Sequence, residues 1–142
     1  MGQREAVSET IDELLAAKLI KHSYSPWNFP IIMVEKKPDN EGVKPKPRMC
    51  IDFRALNKIV KIRSYPLPII DDILASLKSS TFFTTLDLRA GFHQIGLTKQ
   101  SSQKTAFSCF KGKFEYNVLP FGLNNAPSIF PVSYTHLTLP TS

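Results

Sequence analysis

The sequence predicts an α+β fold: an antiparallel sheet with flanking helices and a basic β-hairpin. Two observations carry this. Apolar residues near the start recur at helical spacing, and further on two pairs of strand-like runs are each joined by a turn signal. A length of 142 residues suits one domain, and a hydrophobic content of 42% is enough for a modest core.

Val7, Ile11, Leu14, Leu15 and Leu19 form the helical stripe, and Thr10 with Glu13 has the spacing of a capping box, so a short amphipathic helix is expected there. The two prolines of "HSYSPWNFP" end it, and "IIMVEKK" emerges as a β-branched strand. "PDNEGVKPKP" is the strongest turn signal in the chain. Lying between "IIMVEKK" and "RMCIDF", it predicts a long-looped hairpin with Lys36, Lys37, Lys44, Lys46 and Arg48 on or near its tip. "YPLPIIDDILASLKSS" reads as a proline-led helix whose Asp71 and Asp72 fall in the first turn, where the helix dipole favours negative charge. "FFTTL" then reads as a strand and "TKQSSQK" as a polar connector. "TAFSCF" and "KFEYNVL" read as two strands joined by Lys111 and Gly112, and "PFGLNNAPSIF" as a turn leading into a helix that Pro127 can begin.

The formal net charge of +6 is concentrated. Residues 36–63 hold nine Lys or Arg against three acids, whereas residues 1–35 sum to −2 and residues 64–142 to +2. Such a patch suits a phosphate-rich partner, and a merely solvated face is the competing explanation. No run approaches the roughly 18 apolar residues of a membrane span, and "MGQREAVSETIDE" is too polar and acidic for a signal peptide, which points to a soluble, intracellular protein without a membrane partner. Cys50 and Cys109 lie far apart in strand-like runs with no Cys/His cluster, which favours two buried structural thiols over a disulfide or a zinc site.

Asp87 follows "FFTTL" at a strand end, a position from which a carboxylate can leave a sheet and face a cleft. Taken alone, such an aspartate more often caps the next turn. Two-metal phosphoryl transfer would need it together with further carboxylates, because the ions sit about 3.5 to 4 Å apart. Asp52 in "CIDFR" reads as a structural partner of a nearby cation, and His93, with nothing at ligand spacing, as packed or hydrogen-bonded.

"PRMCIDFRALNK", "YPLPIIDDILASL", "FFTTLDLRAGFHQI" and "KTAFSCFKGKFEYNVLPFGLNNAPSIF", in that order and at those intervals, resemble the reverse transcriptase of gypsy-type LTR retrotransposons. "AAKLIKHSYSPWNFPIIMVEKK" also fits, so the resemblance covers about Ile11 to Phe130. It implies the fingers and partial palm of a right-hand polymerase, an RNA-directed DNA polymerase that extends a primer on an RNA or DNA template with dNTP and two Mg²⁺ ions. Asp87 matches the catalytic aspartate that ligates both metals, and the Leu88 carbonyl would help to hold the nucleotide-side ion. Arg89 and Ala90 match positions whose backbone amides approach the triphosphate. Phe92 matches the steric gate beneath the sugar; its alternative is ordinary core packing. Arg48, with Lys36 or Lys37, matches the cations that grip the phosphates, and Phe121 and Gly122 match the segment flanking the 3′-OH pocket. Arg provides a planar fork for phosphate oxygens, Lys a mobile point charge, and Gly a close backbone approach.

Asp71 and Asp72 superficially resemble the family's Tyr-x-Asp-Asp hairpin, but that hairpin follows the "FGL.NAP..F" helix, whereas these residues precede Asp87. After Phe130 the family pattern fails: "PVSYTHLTLPTS" makes poor helix and looks like a translated sequencing adapter. The expected organisation is therefore a partial reverse transcriptase domain over residues 1–130 and a non-native tail over 131–142. On that expectation the chain lacks the partner carboxylates and does not polymerise by itself. A non-catalytic, sequence-independent nucleic-acid-binding fragment is the alternative, and an aggregating fragment without function is a third. By resemblance the parent works in the cytoplasm or in a virus-like particle.

Overall fold

A computed structural model describes residues 2–35, 45–62, 66, 69–84 and 87–129. Helix α1 spans Gln3–Ala16 and buries Ala6, Val7 and Ile11. It begins ahead of the expected Thr10–Glu13 pair. The Gly2 N–H donates to Glu5 Oε2 at 3.0 Å, which satisfies the helix start, and Thr10, left inside the helix, donates from Oγ1 to the Ala6 carbonyl at 2.8 Å. Lys18 closes the helix in the left-handed region, with its own N–H on the Leu15 carbonyl and that of Leu19 on the Leu14 carbonyl.

Five strands follow: β1 Ile20–His22, β2 Phe29–Val34, β3 Arg48–Ile51, β4 Phe107–Cys109 and β5 Gly112–Tyr116. They form one sheet in the order β1-β5-β4-β2-β3. Every junction is antiparallel except β2–β4, where Phe29 stands opposite Phe107 in a parallel pair. The β2–β3 hairpin is the basic hairpin expected from the sequence, with Ile31 opposite Ile51 and Val34 opposite Arg48. Its tip, including Lys36, Lys37 and Lys44, lies outside the described residues, as do Phe130 and residues 131–142.

The core is aromatic. Phe29, Phe53, Phe107, Phe114 and Tyr116 pack with Val7, Ile11, Ile20 and Leu56, and the Phe29 and Phe53 rings meet edge to face at 5.4 Å. Phe53 and Leu56 bring in a short helix that the sequence reading did not assign, α2 Arg54–Ile59. A second unassigned helix, α4 Lys99–Gln103, replaces the expected polar connector; Thr98 caps it by accepting the Ser101 N–H at 3.3 Å.

Helix α4 exists to complete a buried polar cluster as well as to turn the chain. Glu115, inside the sheet edge, accepts from Ser23 Oγ at 2.6 Å. Ser102 Oγ, 3.0 Å from Glu115 Oε1 and 2.6 Å from the Tyr116 carbonyl, shares its single proton between them. Lys21 Nζ stands 3.4 Å away. Burial by itself pushes the Glu115 pKa up, but the hydrogen bonds from Ser23 and Ser102 and the nearby Lys21 outweigh it and leave the pKa below the ordinary carboxylate value.

The helix α3, Ile70–Ser76, carries Asp71 and Asp72 in its first turn, as expected, yet buries no side chain. In the "FFTTL" run, residues 82–84 join no ladder, and Phe82 and Phe83 are exposed, whereas Thr85 and Leu86 lie outside the described residues. A strand needs a partner to take up its N–H and C=O groups, and none of the described residues pairs there. Cys50 and Cys109 are free and half-buried rather than fully buried. No helix among the described residues is long and apolar enough to cross a membrane.

Because the folded pKa of Glu115 is lowered, its contribution to stability is complete above the unfolded carboxylate pKa and is lost as pH falls through the folded value. Urea unfolding of Glu115→Gln should therefore show a smaller loss of midpoint between pH 5 and pH 3 than the native chain; an identical acid-side slope would contradict this role.

Candidate functional site

Three separate segments converge beside β3. Arg48 opens the strand; Asp52, just after it, receives the Arg54 guanidinium in a forked pair with contacts of 2.6 and 2.8 Å. Those hydrogen bonds, with the Arg54 backbone N–H, pull the Asp52 carboxyl down to about 2. Asp52 is thus the structural partner of a cation, as the sequence suggested. Arg48, Lys58 and Lys61 are exposed and have no acidic partner among the described residues, whereas Lys46 is paired with Glu9 at 2.9 Å. Part of the basic excess is therefore neutralised within the chain.

The second segment starts at Asp87. Asp87, Leu88, Arg89 and Ala90 are all exposed, and Ala90 adopts the left-handed region at φ 48°, uncommon for a residue with a Cβ. The turn is tied to the 3₁₀ helix Gly91–Gln94: the His93 N–H donates to the Ala90 carbonyl at 2.8 Å, and Gln94 Nε2 to the Arg89 carbonyl at 3.1 Å. This places Phe92 and His93, both half-buried, toward the third segment.

That segment is the turn after β5. The Phe121 ring lies 5.3 Å from Phe92 and 4.9 Å from His93, and His93 reaches Tyr116 at 6.3 Å. His93 is packed, as its sequence context suggested, and burial lowers its pKa. A cavity of about 360 Å³ opens here, lined by Arg48, Ile51, His93, Tyr116, Phe121 and Gly122 among others. Burial pushes the Tyr116 hydroxyl up to about 12, so it stays protonated on the cavity wall. Gly122 has φ 93°; a Cβ there would make only ordinary contacts, 3.7 Å to Phe53 and 3.9 Å to the Ile51 carbonyl, so backbone conformation and not space calls for glycine.

The structure thus brings Arg48, Phe121 and Gly122 around one cavity and seats Phe92 against Phe121. Asp87, Leu88, Arg89 and Ala90 do not line the cavity; they lie exposed in the turn that leads into Phe92. Lys36 and Lys37 fall outside the described residues. Asp71 and Asp72 lie exposed on α3 and form no site with Asp87. No three His, Cys, Asp or Glu side chains among the described residues come together as a metal site. The described residues therefore do not make up the carboxylate set of a two-ion centre. The sequence reading missed Asn57, whose side chain holds the Phe121–Gly122 turn. The signal was present: Asn57 shares the helical stripe of Phe53, Leu56 and Val60, a polar residue on a core-facing side.

Residues 34–140 match the family described as reverse transcriptase (RNA-dependent DNA polymerase). The chain belongs to the reverse transcriptase family. Drosophila melanogaster relatives include the retrovirus-related Pol polyprotein from transposon opus, 48% identical over 92% of this chain, and that from transposon gypsy, 45% identical over 92%. This chain spans 13% of the length of each. Among solved structures, the prototype foamy virus protease-reverse transcriptase matches at a TM-score of 0.73 and 28% identity, covering 93% of this chain and 17% of that one. A foamy viral protease-reverse transcriptase in complex with double-stranded DNA matches at a TM-score of 0.69.

Gly122→Ala should destabilise this reverse transcriptase segment by about 1 kcal/mol or more, read as a lower urea midpoint at unchanged slope. A neutral result would show that the turn does not need its left-handed glycine.

Proposed function

We propose that this chain is the nucleotide-facing part of a retrotransposon RNA-directed DNA polymerase, its fingers and the first part of its palm, within residues 1–130. One observation supports the reading most: Arg48, His93, Phe121 and Gly122, drawn from three separate segments, line a single cavity, and Phe92 packs on the Phe121 ring at its side. Arg48 would grip phosphate oxygens of an incoming dNTP together with Lys36 or Lys37. The Phe92 ring would lie beneath the sugar and oppose a ribose 2′-OH. Phe121 and Gly122 would border the primer 3′-OH pocket, and the amides of Arg89 and Ala90 would face the triphosphate. Asp87, with the Leu88 carbonyl, would be the carboxylate that this segment brings to the Mg²⁺ centre of the intact polymerase.

The described residues hold one candidate metal carboxylate, so the chain by itself is proposed to be inactive in polymerisation. Its own remaining capacity is sequence-independent binding of an RNA or DNA template with its primer. Arg48, Lys58 and Lys61, exposed and without an acidic partner among the described residues, support this second reading, as does a structural relative in complex with double-stranded DNA.

The purified chain, given primer–template, dNTP and Mg²⁺, should extend no primer, and template-dependent extension would overturn the claim of inactivity. Its affinity for a mixed-sequence duplex should fall as salt rises. Neutralising Arg48, Lys58 and Lys61 together should flatten the slope of log K against log salt by about two to three. An isotherm indifferent to salt would rule out binding by these cations.

A further inference from the structure

Helix α2 is anchored to the core on one side by Phe53 and Leu56, both buried. On the same side its Asn57 uses both ends of its amide on one turn. Nδ2 donates to the Gly122 carbonyl at 2.8 Å, and Oδ1 accepts the Asn124 N–H at 2.9 Å. One residue further on, Asn125 Nδ2 donates back to the Lys61 carbonyl just beyond α2 at 2.8 Å. The turn 121–124 is therefore held at two backbone atoms by a side chain 65 and 67 positions away in sequence.

Gly122 needs such a hold. At φ 93° it occupies a conformation that glycine reaches freely but has no intrinsic reason to keep, and the neighbouring Phe121 ring is half exposed. The rings of Phe92 and His93 pack on the Phe121 ring, which orients that side chain, but a ring contact supplies no hydrogen bond to the backbone of the turn.

We infer that Asn57 is a positioning residue: its bidentate amide clamp fixes the Phe121–Gly122 turn at the nucleotide cavity and so sets the affinity for a deoxynucleoside triphosphate. The inference rests on the proposed reading of this cavity as nucleotide-facing. Asn57 does not line the cavity and acts through Gly122 and Asn124. The nearly isosteric Asn57→Leu removes both hydrogen bonds, whereas Asn57→Asp keeps the acceptor for the Asn124 N–H and loses the donor to the Gly122 carbonyl.

The test is an NMR titration of the full 142-residue chain with dTTP, run beside amide exchange. In the native chain dTTP should shift the resonances of Arg48, Phe121 and Gly122. Asn57→Leu should bind about tenfold more weakly and lose protection at the Asn124 amide while the amides of β1, β5, β4 and β2 keep theirs; Asn57→Asp should lie between. Native binding with Asn57→Leu unchanged, or weakened only together with a loss of sheet protection, overturns the positioning role and leaves the nucleotide reading standing. A native chain whose cavity resonances do not respond to dTTP overturns the nucleotide reading, and the positioning role with it.

Discussion

The parallel pairing of β2 with β4 is the junction on which this structure depends. It is short, with Phe29 opposite Phe107 and Pro30 opposite Ser108, and it joins a hairpin near the start of the chain to one more than seventy residues later. Without it Arg48, carried by the first hairpin, and the turn that follows the second would belong to separate sheets. Parallel strands need a crossover connection, and here that connection holds α2, α3 and the Asp87 segment, so closing the sheet also brings the candidate site together. The pairing is backed by rings rather than by ladder length. Phe29 packs on Phe53, and Phe107 packs on Phe114 and Tyr116, so the aromatic core welds the two hairpins where few backbone bonds do.

The same packing explains the division of the site into firm and open parts. Residues tied to the sheet, Arg48, Tyr116 and the Phe121–Gly122 turn, surround a formed cavity. Asp87 to Ala90 lie at the surface, and so do Ile69, Ile70, Ile73, Leu74, Phe82 and Phe83, apolar residues earlier in the same connection. Large apolar side chains left exposed add little to the stability of the fold, and where they form a patch they commonly mark places where other protein packs. Electrostatics follow a similar split. Asp52 and Glu9 neutralise Arg54 and Lys46, whereas Arg48, Lys58 and Lys61 have no acidic partner among the described residues.

Local chemistry made much of the fold legible. The stripe from Val7 to Leu19, the turn-rich run before Arg48 and the paired strands around Gly112 each carry their own signal, because helical spacing, proline and glycine act within a few residues. Where the reading failed, the deciding partner was distant. "FFTTL" has a strand's composition, but composition supplies no partner for its backbone groups. "TKQSSQK" looked like a connector because its helix is only a turn and a half long and is held by Ser102 docking on Glu115 and Tyr116, thirteen or fourteen residues on. Helix α2 went unseen for a similar reason: it is six residues long and is held by Leu56, and by Phe53 just before it, in the core.

By itself the sequence determined the family, through four long motifs in register, and with it which residues are proposed to bear chemistry, Asp87 first among them. It also determined the hairpins and the helix at the start, whose signals are local. Tertiary structure alone decided which of those residues share a cavity, which cations are already paired and which side chain holds the Phe121–Gly122 turn. The physical reason is range. A cap, a turn or an amphipathic face is settled by neighbours within one or two turns of chain, whereas the Asn57 clamp and the meeting of Arg48 with Phe121 exist only once the parallel pair of strands has closed.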